Sequence, residues 1–195
     1  MKKLLFGITM LISLVCVCAQ AQNLSKGDKV MGFGIGLASY HASNEKIVFP
    51  PIRLSLDYCV KDRLFDAKSS LSLGAYAGYF GRRSEISTNW GVAGYKYSNF
   101  SLGVRGGFHY NFVPQLDTYA GLLLGYTISS ASKYGATLVN KGNDIVITES
   151  SKSRGGLFYS IYLGARYDFS RNFGAFVELG YGFSVLELGI SYRFR

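Results

Sequence analysis

Between Phe100 and Phe112 the chain alternates without a break. Phe100, Leu102, Val104, Gly106, Phe108, Tyr110 and Phe112 share one parity, and Ser101, Gly103, Arg105, Gly107, His109 and Asn111 share the other. Successive side chains of a strand point to opposite faces, so the segment has one greasy face and one polar face. A helical repeat of 3.6 residues cannot sort these residues that way. The closing stretch repeats the device, with Leu188, Ile190, Tyr192 and Phe194 set against Glu187, Gly189, Ser191 and Arg193. So do stretches at about 30–40, 52–58, 70–80, 119–128, 157–169 and 173–181, which makes eight strands, an even number.

The polar parity separates the two architectures open to such a chain. In a soluble β-sandwich the apolar faces pack together and the solvent faces carry Lys, Glu and Thr. Here the polar faces are Gly, Ser and a few Arg; in the first stretch Gly32, Gly34, Gly36 and Ala38 alternate with Met31, Phe33, Ile35 and Leu37. Glycine weakens a strand, but on the inner wall of a narrow barrel it makes room for bulky side chains from opposite strands. The chain has 24 Gly, 15 Tyr and 14 Phe against 3 Pro, and 17 % charged residues, where about 25 % is usual for a soluble domain. Aromatic residues gather at the strand ends (Tyr40, Tyr58, Tyr79, Tyr110, Phe112, Tyr126, Tyr167, Phe169, Phe173, Tyr181, Tyr192, Phe194), where membrane-interface girdles belong. The expected fold is all-β: an eight-stranded antiparallel up-and-down transmembrane barrel with its apolar parity toward lipid.

Lys2 and Lys3 precede an apolar run that ends at Ala19-Gln20-Ala21. This is the pattern of a cleaved export signal, so residues 1–21 are assigned as signal peptide and 22–195 as the barrel domain. Val15 and Val17 before Cys16 and Cys18 argue against lipoprotein processing, and cleavage leaves Cys59 alone, without a disulfide partner. No later apolar run reaches the length of a spanning helix. The formal charge of +9 becomes +7 once the two lysines are removed, 19 basic against 12 acidic residues. The basic residues are scattered, which speaks against nucleic acid.

The connections 41–51, 81–96 and 130–154 are long and alternate with shorter ones, so they are expected to be extracellular loops. The 59–69 connection is long for a periplasmic turn, and the final external connection near Gly182-Phe183-Ser184 is short. Arg82, Arg83, Trp90, Tyr95, Lys133, Tyr134, Lys141, Lys152 and Arg154 give the outer rim a basic, aromatic character that suits anionic lipopolysaccharide head groups.

Parity assigns Arg53, Asp57, Arg105, Arg166, Asp168, Glu178, Glu187 and Arg193 to the lumen, four of each sign. Arg53, Arg105, Glu178 and Glu187 are expected near mid-height, and Asp57, Arg166, Asp168 and Arg193 nearer the periplasmic end. Interior charge is costly unless paired, so the set reads as a salt-bridge network. Eight strands leave an interior just wide enough for side chains to fill, and Tyr76, Phe80, Tyr119, Phe158, Tyr162 and Phe176 also point inward. A lumen plugged by side chains is favoured over a small porin passing ions or solutes.

Catalytic signals are sparse. His109 reads as an interior histidine. His41, Ser43 and Glu45 place a base, a nucleophile and a carboxylate close together, but in a loop without rigid support. A lipid A-modifying enzyme is therefore only a minor alternative, and the expectation is no enzyme, no metal and no cofactor. Gly32, Gly34 and Gly36 lie along a strand with no helix after them, unlike a dinucleotide turn.

The whole mature stretch resembles the small outer-membrane barrels of the OmpA-like and OmpX-like kind, and the porin-like β-barrel domain family common in Bacteroidota. The resemblance is sharpest over Asn172–Gly182 and Leu186–Phe194. Such barrels carry an assembly signal in the last strand, polar-x-Gly-x-x-aromatic-x-aromatic, matched by Glu187, Gly189, Tyr192 and Phe194; Arg195, beyond the terminal aromatic, departs from it. The resemblance implies a monomer in a Gram-negative outer membrane, in contact with its lipid and lipopolysaccharide. It also implies assembly by the barrel-assembly machinery with periplasmic chaperones, and a structural or adhesive role.

Overall fold

Every alternating stretch is a strand in the computed structural model, which describes residues 23–38, 45–88, 91–134 and 151–194. The strands are β1 (Lys29–Ala38), β2 (Glu45–Asp62), β3 (Ser69–Thr88), β4 (Gly91–Val113), β5 (Leu116–Tyr134), β6 (Ser151–Asp168), β7 (Phe173–Tyr181) and β8 (Leu186–Phe194). Each pairs antiparallel with its sequence neighbours, and β8 returns to β1 to close the ring. Closure leaves no strand edge without a partner, the condition for a sheet to sit in hydrocarbon. The signal peptide expected over 1–21 lies outside the described residues.

The polarity is inverted relative to a water-soluble protein. Leu54, Leu102, Leu122, Leu163 and Ile190 lie on the outer surface, the last about 60 % exposed. Arg53, Arg105, Arg166, Glu178 and Glu187 are buried inside. Among the described residues no second sheet meets the apolar face, so the sandwich alternative has no partner layer there; the surface is one that lipid satisfies. Aromatic pairs mark the periplasmic border: Tyr110 with Phe112, Phe173 with Tyr192, and Tyr192 with Phe194, at 4.6–4.9 Å between ring centroids. Their phenols reach the wet side, Tyr110 donating to Asp66 Oδ2 and Tyr167 to Gln115 Oε1. Rings with one apolar and one hydrogen-bonding end settle at such an interface.

All three expected loops are wall at their described residues: 45–51 already belong to β2, and the other two follow suit. Residues 81–88 continue β3 and 91–99 continue β4, paired up to Thr88 with Gly91. Likewise β5 extends to Tyr134 and β6 begins at Ser151. Above the bilayer both faces of a strand are wet, so the apolar alternation that marks the buried part disappears while backbone pairing goes on. The 59–69 connection is also shorter than expected, because β2 runs to Asp62 and leaves only 63–68 as a turn. The polar lead-in folds across the periplasmic mouth: Gly27 N–H donates to the Cys59 carbonyl, Cys59 N–H to the Asp28 carbonyl, and Leu24 is buried with Val30 and Cys59.

Some inward glycines make room for rings from non-adjacent elements, as Gly78 does for Phe183 and Gly34 for Phe176, and four are covered by a ring from the neighbouring strand. Tyr119 is registered against Gly164, Tyr162 against Gly121, Phe158 against Gly125, and Phe176 against Gly189. In each pair the ring lies where a side chain on the glycine would have to be; a Cβ on Gly164 would sit 2.4 Å from the Tyr119 ring, and one on Gly189 2.3 Å from Phe176. This is aromatic cover of strand glycine. Gly164→Val should therefore destabilise the barrel by about 1–3 kcal/mol through overpacking, read from urea unfolding in lipid vesicles. Gly156→Val, where an added Cβ meets nothing within 4 Å, should leave the midpoint near wild type.

Candidate functional site

The most organised chemistry of the molecule lies inside the ring, in two layers. The first centres on Glu178 of β7. Arg53 of β2 grips it with two parallel bonds, Nη1 to Oε1 at 2.7 Å and Nη2 to Oε2 at 2.8 Å. Arg105 of β4 donates to Oε2 at 3.1 Å and the Tyr119 hydroxyl does so at 3.2 Å. Arg53 Nε also lies 2.7 Å from Glu187 Oε2, a close ion pair without linear hydrogen-bond geometry. Arg105 reaches Asp57 at 3.2 Å and packs its guanidinium 4.2 Å from the Tyr162 ring centroid. Glu178 and Glu187 are directly opposite in the β7–β8 register, where like charges repel. Arg53 sits between them and turns the repulsion into a three-membered bridge.

The second layer lies nearer the periplasmic end. Arg166 Nη2 donates to Asp117 Oδ2 at 2.6 Å, and its Nε lies 3.4 Å from Asp168. Arg193 donates to Asp168 Oδ2 at 2.5 Å. The eight residues singled out from sequence are thus all on the inner wall, and each is ion-paired with another of the set. The balance of four and four needs correction, because Asp117 is a further interior carboxylate. It shares the inward parity of Tyr119 but stands just after the Pro114–Gln115 turn, where strand five had not been taken to begin.

His109 is part of the second layer rather than an isolated ring. Its Nδ1 lies 2.9 Å from Asp117 Oδ2, and its Nε2 lies 2.9 Å from Ser72 Oγ. A carboxylate can only accept, so Nδ1 carries the proton and Asp117 fixes the ring's orientation. Ser72, His109 and Asp117 therefore form the hydrogen-bond chain of a nucleophile, base and orienting acid. The site has no room for chemistry. Ser72 is 1 % exposed, and a Cβ on the neighbouring Gly107 would already crowd both His109 Nε2 and Ser72 Oγ at 3.1 and 3.2 Å. The three residues are closely packed and hydrogen-bonded to one another in the interior.

Tyr76, Leu123 and Phe183, joined by Phe80 and Phe158, form an apolar cluster that continues through Tyr162 beside Arg105 to Tyr119 beside His109. Two small cavities among these side chains measure about 10 and 20 Å³, each with space for a single water at most. In the last strand, Glu187 and Gly189 face inward, one bound to Arg53 and the other covered by Phe176, while Tyr192 and Phe194 join the outer girdle. His41 and Ser43 lie outside the described residues, as does the side chain of Glu45. Of the basic rim, Arg83 is on the outer face with Glu85. Tyr95 and Arg82 turn to the inner face, and Trp90 and Lys141 are outside the described residues.

A closed strand ring with a lipid-facing exterior and a charged, hydrogen-bonded interior is membrane architecture. The chain is an eight-stranded barrel of the outer-membrane type. No family model matches the sequence, and no curated protein matches it. Among solved structures it is similar to the N-terminal β-barrel domain of OprF from Pseudomonas aeruginosa, at 13 % identity over 87 % of this chain and 98 % of that one, TM-score 0.46. It is also similar to Ail, the attachment invasion locus protein of Yersinia pestis, at 14 % identity over 87 % and 99 % of the two chains, TM-score 0.45. A third is Neisserial surface protein A, at 12 % identity over 85 % and 93 %, TM-score 0.47.

Removing the acceptor shared by two buried guanidiniums tests the first layer directly. Glu178→Ala should lower barrel stability by about 3–5 kcal/mol, because it leaves Arg53 and Arg105 under-compensated in a dry interior. Glu178→Gln, which keeps an acceptor oxygen, should cost less. Equilibrium unfolding in vesicles measures both, and a wild-type midpoint for Glu178→Ala would rule out a structural role for the network.

Proposed function

We propose that this chain is a non-catalytic outer-membrane barrel whose lumen is sealed by its charged side chains, and that it acts through its extracellular face as a structural or surface-contacting protein. The observation that carries the reading is the filled interior. The cavities beside Arg105 and Glu178 and beside Arg53 and Asp57 measure only about 10 and 20 Å³, which supports a blocked path. The two ionic layers are cross-linked between strands β2, β4, β5, β6, β7 and β8. A pore that selects ions needs charges lining water, whereas these guanidiniums are spent on carboxylates and rings. The apolar cluster beside them adds a second barrier to ions.

The same economy assigns the closing strand two tasks. Glu187 and Gly189 build the interior while Tyr192 and Phe194 remain on the outer surface, free for recognition by the assembly machinery before the ring closes.

Conductance is the direct test of the seal. Purified mature protein in planar bilayers should give no stable, reproducible channel, in contrast to an open porin measured in the same membranes. A reproducible single-channel conductance would overturn the sealed lumen. Glu178→Ala should become leaky or noisy if the network is what closes the path.

A further inference from the structure

The barrel wall is not of even height. Strands β2 to β6 run 18–23 residues, whereas β7 and β8 run 9. Membrane crossing takes about 9–11, so the short strands end at the bilayer surface and the long ones stand above it as a curved half-wall. Parity is continuous along the long strands. Residues that follow the inward set upward therefore face the concave side: Arg82 from β3, Tyr95 and Tyr97 from β4, Lys133 from β5, and Lys152 and Arg154 from β6.

These side chains are brought together by register, not by proximity in sequence. Tyr97 is opposite Arg82 on one side and Ala131 on the other, Tyr95 is opposite Lys133, Ala131 is opposite Lys152, and Ser129 is opposite Arg154. With strands about 4.8 Å apart, the cations fall within a few strand spacings of one another. They line an open cavity of about 570 Å³, within the usual range for a small-ligand site. The tyrosine rings are stacked at 6.1 Å between centroids, with Arg82 4.9 Å from the Tyr97 centroid and Lys133 5.7 Å from that of Tyr95. Lys133, Lys152 and Arg154 have no ion pair among the described residues. The nearby carboxylate, Glu85, is on the convex side with Lys46 and Arg83. The lumen below contrasts with this, since every guanidinium there has a carboxylate. Among the described residues the concave side of the wall carries one sign of charge, which focuses its field into the cleft.

We propose that this cleft is a binding site for a multiply anionic saccharide, phosphorylated or sulfated. The cations take the anionic groups, and the stacked Tyr95 and Tyr97 rings take the apolar face of a sugar ring. The proposal rests on the surface-contacting role above and gives it a location and a ligand class. It does not depend on the sealed lumen.

The test uses the mature barrel in bilayer nanodiscs free of lipopolysaccharide, titrated calorimetrically with sucrose octasulfate and, separately, with a phosphorylated lipopolysaccharide core oligosaccharide. Sucrose and inorganic sulfate at equal ionic strength are the controls. The wild type should bind at least one polyanionic saccharide, and neither control comparably. The triple variant Lys133→Gln, Lys152→Gln, Arg154→Gln should lose about tenfold or more in affinity, as expected when several charge-assisted contacts go. Removing the same charge at the opposite end, by Lys61→Gln, Lys68→Gln and Arg171→Gln, should leave binding unchanged. Binding of only the core oligosaccharide points to the cell's own envelope, and binding of only the sulfated sugar to an external glycan; either supports the class. No binding of either polyanion, equal binding by the triple variant, or equal binding of sucrose or sulfate would overturn it. Heat-modifiable electrophoretic mobility verifies that each variant is folded. A barrel that conducts yet binds would refute the seal alone, and one that neither conducts nor binds would refute this site alone.

Discussion

Hydrocarbon offers no hydrogen bonds, and that single fact dictates the rest of this molecule. Every backbone N–H and C=O within the bilayer must find a partner in the sheet, so the sheet must close. Closure at eight strands fixes a narrow bore. A narrow bore then decides what the inward parity can be: glycine where a ring from the next strand or from further round the lumen lies across it, and charge where an opposite charge is within reach. The outward parity has no such restriction beyond being apolar, and it varies freely among Leu, Ile, Val, Phe and Tyr.

The interior shows how ionic groups are tolerated in so dry a place. Arg53 and Arg105 converge on Glu178, and Arg53 also lies against Glu187. Isolated buried ion pairs seldom add net stability because desolvation offsets attraction. A network in which each guanidinium meets two acceptors or an acceptor and a ring recovers more of that loss. The second layer follows the same rule with Asp117 as its centre, taking Arg166 and the His109 ring together.

What could be read from sequence follows the same physics. Within the bilayer the two faces of a strand see opposite solvents, so alternation is strong and the strand positions, the ring and the inward charges were all legible. Outside it both faces see water, and residues 81–88, 91–99 and 130–134 lost their signature while remaining in the sheet. Asp117 and the Ser72–His109–Asp117 chain were missed for a related reason. Parity tells which way a side chain points, but partner choice depends on the register between strands, which turns such as Pro114–Gln115 set. The concave cleft was likewise hidden: its cations were visible as a basic rim, but whether they faced inward or outward depended on the wall continuing.

The seam between β1 and β8 is the one junction made by the two ends of the chain rather than by a hairpin. Parting there is how a closed barrel could open sideways into the membrane. Arg53 comes from β2, beyond that seam, and holds Glu178 of β7 and Glu187 of β8 on its other side. Separating the strands would pull a guanidinium and two carboxylates apart and present them to acyl chains, where charge is expensive. The bridge thus spans the β1–β8 seam, and parting the wall there would first have to break it.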